Sequence, residues 1–167
     1  MVTGNESIQV KKRNGRGLEK LDIDKIHSMV EYAVEDITGV SSSQVEMNSG
    51  LQFYDGITTE EIQQILIKSA ADLISLDAPN YTYVASRLLL YSLRKQIFHK
   101  LWDHPHFYDH VSNTVKLGLY DEEILKNYER KDFDRMEYWI KHERDYDFTY
   151  AGIRPVSYTH LRAHETN

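Results

Sequence analysis

The residues of this chain best placed to do chemistry are cations gathered near its start. Lys12 and Arg13 precede Asn14-Gly15, and Lys20 and Lys25 follow it. Asn-Gly is a strong hairpin signal, because a tight turn needs positive φ and this pair supplies it. Ile8 and Val10 alternate with Gln9 and Lys11, which predicts a short strand; Leu18 and Leu21 start the return strand. Asp22 or Asp24 then opens a helix with Lys25 in its first turn. Cations and free backbone N–H groups at one corner suit a phosphate. The same residues also suit a solvated basic edge strand that discourages edge-to-edge pairing.

Other chemistries find no support. Cysteine is absent, which excludes disulfides, thiolate nucleophiles and zinc ribbons within the chain. There is no G-x-x-x-x-G-K-[ST] run, and Gly15 and Gly17 are followed by Lys20 where a dinucleotide fingerprint needs glycine. His99, His104, His106 and His110 cluster, but no carboxylate stands at a ligand spacing. They read as a histidine-rich linker, and no metal site and no catalytic residue are expected. His27 falls between core positions of a helix, and Glu60-Glu61 and Glu122-Glu123 sit at helix starts, where the dipole explains them. Charged residues make up 28% of the 167, with a net charge of −6, a balance that disfavours direct nucleic-acid binding. No apolar run approaches the roughly 18 residues of a membrane span, and the N-terminus lacks a signal-peptide core. A cytoplasmic protein with no membrane partner is expected.

The elements that must position the cations are mostly helical. Ile26, Met29, Val30, Ala33, Val34 and Ile37 form one stripe, with Gly39 as its C-cap. Ser43 and Glu46 read as a capping box for a short second helix closed by Gly50. Leu51 to Ile57 has strand character with a turn at Asp55-Gly56, and predicts a third strand beside the hairpin. Thr58 and Glu61 form a second capping box, followed by Ile62, Ile65, Leu66, Ala70, Leu73 and Ile74. A fourth helix runs from about Tyr81 to His99, with Val84, Ala85, Leu88 and Tyr91 inward and Arg87, Arg94 and Lys95 projecting. The expected fold is mainly α: a four-helix bundle capped by a small three-stranded sheet over residues 1–100, then a partial all-α segment over 101–154. That segment carries helices near Val111, at 121–128 and at 132–142. The stretch 155–167 shows no cap and no apolar period, resembles translated sequencing-adapter DNA, and is expected to be a foreign, disordered tail.

Several runs together carry a family resemblance. Lys12-Arg13-Asn14-Gly15, Glu19, Leu21 to Ile26 and Phe53 to Thr59 resemble the ATP-cone, the N-terminal regulatory domain of the class I ribonucleotide reductase large (alpha) subunit. Ala70 to Ser75, Asp77-Ala78-Pro79 and Arg87 to Lys95 continue it. Phe107 to His110 and Asp147 to Gly152 resemble the helical segment that follows the cone.

The resemblance implies a site for ATP or dATP as allosteric effector, with Mg2+. Carried over position by position, Lys12 and Arg13 face the phosphates, Glu19 and Asp22 lie near base and sugar, and Lys25 contacts phosphate. Thr59 and Lys95 complete the pocket. Gln63 stands where several relatives have a His that senses the second nucleotide or the sugar. The hairpin is one residue longer than the commonest version, at Arg16-Gly17. The implied function is that of a regulatory fragment of a ribonucleoside-diphosphate reductase, whose partners in the intact protein are a second large subunit and the radical-carrying small subunit. The family's chemistry needs cysteines, so the fragment itself is expected to reduce no ribonucleotide. The alternative is a stand-alone nucleotide-sensing transcriptional regulator; that family places four cysteines before its cone, and this chain has none.

Overall fold

The protein is described by a computed structural model over residues 8–12, 17–98 and 104–165, with the backbone alone from 159 onward. Arg13, the Asn14-Gly15 turn, Arg16 and His99 lie outside the described residues. By compactness the chain forms two units, one running to Leu93 and resuming at Tyr146, the other spanning Arg94–Asp145. Sequence reading placed its boundaries after residues 100 and 154.

The first unit is built on a three-stranded sheet in the order β2-β1-β3. Strand β1 (Gln9–Lys11) pairs antiparallel with β2 (Leu18–Lys20) and parallel with β3 (Ile57–Thr58). The third strand is shorter and later than expected, because Gln52 to Gly56 are spent on turns. Gly56 adopts φ +83, which an L side chain adopts only with strain. Val10 and Ile57, register partners, are both buried.

Helix α1 (Ile23–Val34) buries Ile26, Val30 and Ala33. It stops before Ile37 and Gly39, contrary to the expected stripe. Asp36 takes the left-handed conformation at φ 59 and turns the chain first. Helix α2 (Ser42–Gly50) starts one residue before the expected cap, and Ser43 and Glu46 form no capping box. The Ser41 N–H donates to the Tyr81 hydroxyl at 3.0 Å, and Glu46 is drawn away to His27, 2.8 Å from its Nδ1. Helix α3 (Thr59–Asp72) has the expected box: the Thr58 hydroxyl accepts from the Glu61 N–H, and Glu61 accepts from the Thr58 N–H. Helix α4 (Tyr81–Phe98) buries Val84, Ala85, Leu88 and Tyr91 as expected. Arg94, expected to project, is 5% exposed, because Asp145 reaches it at 2.8 Å.

The second unit centres on Val111 and Phe133, both buried. Helix α5 (Phe107–Lys116) packs on α7 (Arg130–Trp139), with α6 (Glu123–Asn127) between them in sequence. Phe107, Tyr108 and Tyr128 surround the Phe133 ring at centroid distances of 5.8, 5.5 and 6.4 Å. A 3₁₀ turn (His142–Asp147) returns the chain to the first unit.

Residues 155–165 are helical, not disordered. Helix α8 (Tyr150–Glu165) contains Pro155 and opens with the Tyr150 N–H donating to Thr82 Oγ1 at 3.1 Å. Its order comes from a stripe that hydropathy alone hides. Ile153 and Ser157 are buried, and the Arg154 guanidinium lies 5.6 and 5.7 Å from the Tyr150 and Tyr158 rings, each four residues away.

Thr58→Ala removes the cap of α3 and leaves its first-turn N–H groups to water. Urea titration should show a loss of about 1 kcal/mol; Thr58→Ser should recover most of it, and an unchanged midpoint for the alanine variant would deny the cap any role.

The His27–Glu46 contact links α1 to α2 and raises the imidazole pKa above its ordinary 6.5, chiefly through the hydrogen bond. A raised folded-state pKa stabilises fully below the ordinary value and is lost as pH rises through the raised one. His27→Asn should therefore lower stability at about pH 6 and match the parent at about pH 8.5. A gap of equal size at both pH values would sink that assignment.

Candidate functional site

The basic corner takes its geometry from the register of β1. Gln9 faces Lys20 across β2, and the Leu21 N–H donates to the Ile8 carbonyl at 2.8 Å, so α1 leaves from the Gln9 end. Lys11 faces Thr58 across β3, so α3 leaves from the other end. The two helix N-termini therefore depart from opposite ends of a three-residue strand, whose Cα span is roughly 7 Å at 3.3 Å per residue.

Charged side chains line the hairpin and the start of α1. Lys12 Nζ lies 2.7 Å from Glu19 Oε1, across the hairpin. Glu19 in turn acts electrostatically on Lys25. Lys25 Nζ lies 2.9 Å from Asp22 Oδ2, and the other oxygen of Asp22 accepts the Lys25 backbone N–H at 3.2 Å. Asp22, not Asp24, is thus the N-cap of α1. Contact with the Lys25 ammonium, and then with its N–H, holds the Asp22 carboxyl below its ordinary value; the same hydrogen bond holds Lys25 above its own. The order of charge is +, −, +, − from Lys12 to Asp22. All four side chains keep substantial exposure, from 41% at Lys12 to 79% at Lys25. Such pairs are weak and exchangeable.

Of the residues expected at the site, the structure brings Lys12, Glu19, Asp22 and Lys25 together. Thr59 is the first residue of α3, directly after the register partner of Lys11. Gln63 is one turn further along α3 and is 6% exposed; its Nε2 donates to the Leu88 carbonyl of α4 at 3.0 Å. That amide ties two helices together. Lys95 is exposed in the last turn of α4, within the second unit. Arg13 lies outside the described residues.

Sequence reading missed the group that frames the corner. The Gln9 N–H donates to Asp55 Oδ1 at 2.8 Å, and the Gly56 N–H donates to the Gln9 carbonyl at 2.9 Å. Next to this clasp, the Tyr54 hydroxyl donates to Glu61 Oε1 at 2.8 Å. Hydrogen bonds from the Thr58 N–H, the Thr58 hydroxyl and Tyr54 hold the Glu61 carboxyl below its ordinary value. The sequence signal was Asp55-Gly56, read as a turn, without its side chain's hold on β1. Among the described residues no group of three or more His, Asp or Glu is arranged to hold a metal ion. No helix among them is long and apolar enough to cross a membrane.

Residues 8–96 match the ATP cone domain family. Over 157 residues, 94% of its length, the chain is 45% identical to ribonucleoside-diphosphate reductase 1 subunit alpha of Salmonella typhimurium, and 43% identical to that of Escherichia coli. It is 44% identical over 162 residues to the ribonucleoside-diphosphate reductase subunit alpha of Buchnera aphidicola subsp. Acyrthosiphon pisum. The chain spans about a fifth of the length of these relatives, 20 to 21%.

Proposed function

The chain belongs to the ATP cone family, matched over residues 8–96, and from that premise we propose that it is the nucleotide-sensing regulatory region of a ribonucleoside-diphosphate reductase alpha subunit. The observation that carries this reading is the alternating chain Lys12–Glu19–Lys25–Asp22, which joins the hairpin to the N-terminal turn of α1. The ligand is ATP or dATP, with Mg2+ carried on its phosphates. A triphosphate displaces Glu19 and Asp22 from the two lysines and takes both ammonium groups, while first-turn N–H groups of α1 face the same anion. Arg13, Thr59 and Lys95 complete the contacts, and Gln63 holds α3 where Thr59 can serve. The freed carboxylates are then available to the sugar hydroxyls and the base.

The chain has no cysteine, so the thiol chemistry of ribonucleotide reduction falls outside it. Its role is to bias the activity of the large subunit through the other large subunit and the small subunit, in the cytoplasm. Similarity to reductase alpha subunits continues past the cone to 94% of the chain, which favours this reading over a stand-alone transcriptional regulator.

Isothermal titration calorimetry with Mg-ATP tests the site. Lys12→Ala and Lys25→Ala should each weaken binding by about ten- to a hundredfold, the worth of a charge-assisted phosphate contact. Lys95→Ala should weaken it similarly. Lys141→Ala serves as the control, since its Nζ packs 4.6 Å over the Tyr138 ring and it should bind as the parent does. Equal affinities for all four variants would return the corner to a solvated basic edge.

A further inference from the structure

The family match ends at residue 96, yet the first compact unit resumes at Tyr146. What holds that returning segment is a set of contacts on one helix. The Arg87 guanidinium carbon lies 5.3 Å from the centroid of the Tyr146 ring. The same guanidinium donates to the Glu35 carbonyl at 2.6 Å and to the Ala33 carbonyl at 3.4 Å, at the C-terminus of α1. Five residues before Arg87, Thr82 Oγ1 accepts the Tyr150 N–H at 3.1 Å. Two turns after it, on the same face of α4, Arg94 holds Asp145 at 2.8 Å. Two arginines seven residues apart thus grip two consecutive residues, Asp145 and Tyr146.

Arg87 therefore joins three elements: α4, the end of α1 and the returning segment. Helix α1 has 12 residues and is about 18 Å long. Its N-terminal turn carries Asp22 and Lys25; its C-terminal carbonyls are read by Arg87. One rigid element has the phosphate corner at one end and the grip on the segment at the other.

We propose that residues 146–158 are a docking strap of the cone, seated on a surface made by Thr82 and Arg87, and that its seating is coupled through α1 to occupancy of the phosphate corner. The coupling rests on the nucleotide-binding reading above; the seating does not. A nucleotide that pulls on the first turn of α1 moves the Ala33 and Glu35 carbonyls relative to Arg87, and so favours one arrangement of the guanidinium against Tyr146. Linkage then requires the reverse effect: loosening the strap changes nucleotide affinity by the same factor.

Hydrogen exchange by mass spectrometry on the full chain, with and without saturating Mg-ATP, tests both parts. The variants are Tyr146→Phe, which keeps the ring, and Tyr146→Leu, which removes it. Without nucleotide, Tyr146→Leu should raise exchange across residues 149–158 by at least about fivefold, and by clearly more than Tyr146→Phe does. Parental exchange in the leucine variant would overturn the seating. With Mg-ATP, exchange in the strap should change in the parent and in Tyr146→Phe. The Kd of Tyr146→Leu should differ from the parent's by about fivefold or more. Nucleotide binding that leaves strap exchange and the Tyr146→Leu Kd unchanged would overturn the coupling alone. A parent chain that fails to bind Mg-ATP would overturn the proposed function and the coupling with it, while the nucleotide-free comparison still decides the seating.

Discussion

Gln9 fixes the register of the short strand β3 beside the basic corner. Its N–H is taken by the Asp55 carboxylate and its carbonyl by the Gly56 N–H. A two-residue strand such as β3 has too few ladder bonds to set its own register, and a one-residue slip would turn each side chain to the opposite face. The clasp prevents that slip by anchoring the turn immediately before the strand. Ile57 then lies beside Val10 in the core, and Thr58 lies beside Lys11 with its hydroxyl free to cap α3. The placement of α3 against the sheet thus depends on one carboxylate and one glycine.

The helices were legible because their signals are local and redundant. The stripe of α3, its Thr58–Glu61 box and the Pro79 break before α4 all agree with one another. The failures occurred where a local signal lost to a partner distant in sequence. Ser43 and Glu46 have the spacing of a capping box, but Glu46 pairs with His27, and the N-cap is Ser41, whose N–H goes to Tyr81. Arg94 reads as a surface residue of α4 until Asp145, 51 positions later, comes back to cover it. Helix α8 was hidden for a related reason: its order rests on an arginine between two tyrosines and on buried Ser157, which apolar periodicity does not count. At the site, the cations and both candidate caps were visible in the sequence. The alternation of Lys12, Glu19, Lys25 and Asp22 was not, because it depends on hairpin register.

That alternation bears on how such a corner selects its ligand. Each lysine already has a carboxylate partner, exposed and weak enough to be exchanged. A singly charged anion gains one ammonium contact and leaves a displaced carboxylate beside it, so it competes poorly. On the proposed reading a polyphosphate would engage both ammonium groups and the α1 N-terminus at once, and so offset the displacement of both carboxylates. In that reading the carboxylates would act as occupants that a weak ligand cannot evict.

A family boundary drawn along the sequence and a boundary drawn by packing need not coincide, and here they differ in an informative way. Helix α4 runs unbroken from Tyr81 to Phe98 through the change of unit at Leu93. The residues inserted from Arg94 to Asp145 begin and end on a single ion pair, Arg94 to Asp145 at 2.8 Å. An insertion whose two ends meet places little strain on its host, since the host only has to accept two adjacent chain crossings. Such a host also feels any change in how those crossings are held. Arg87 stands beside that junction, and it reads the backbone of α1 with the same guanidinium that faces Tyr146. The proposed corner at one end of a short helix and the chain crossing at the other would thereby be joined by a single side chain, with no need for a long relay through the core.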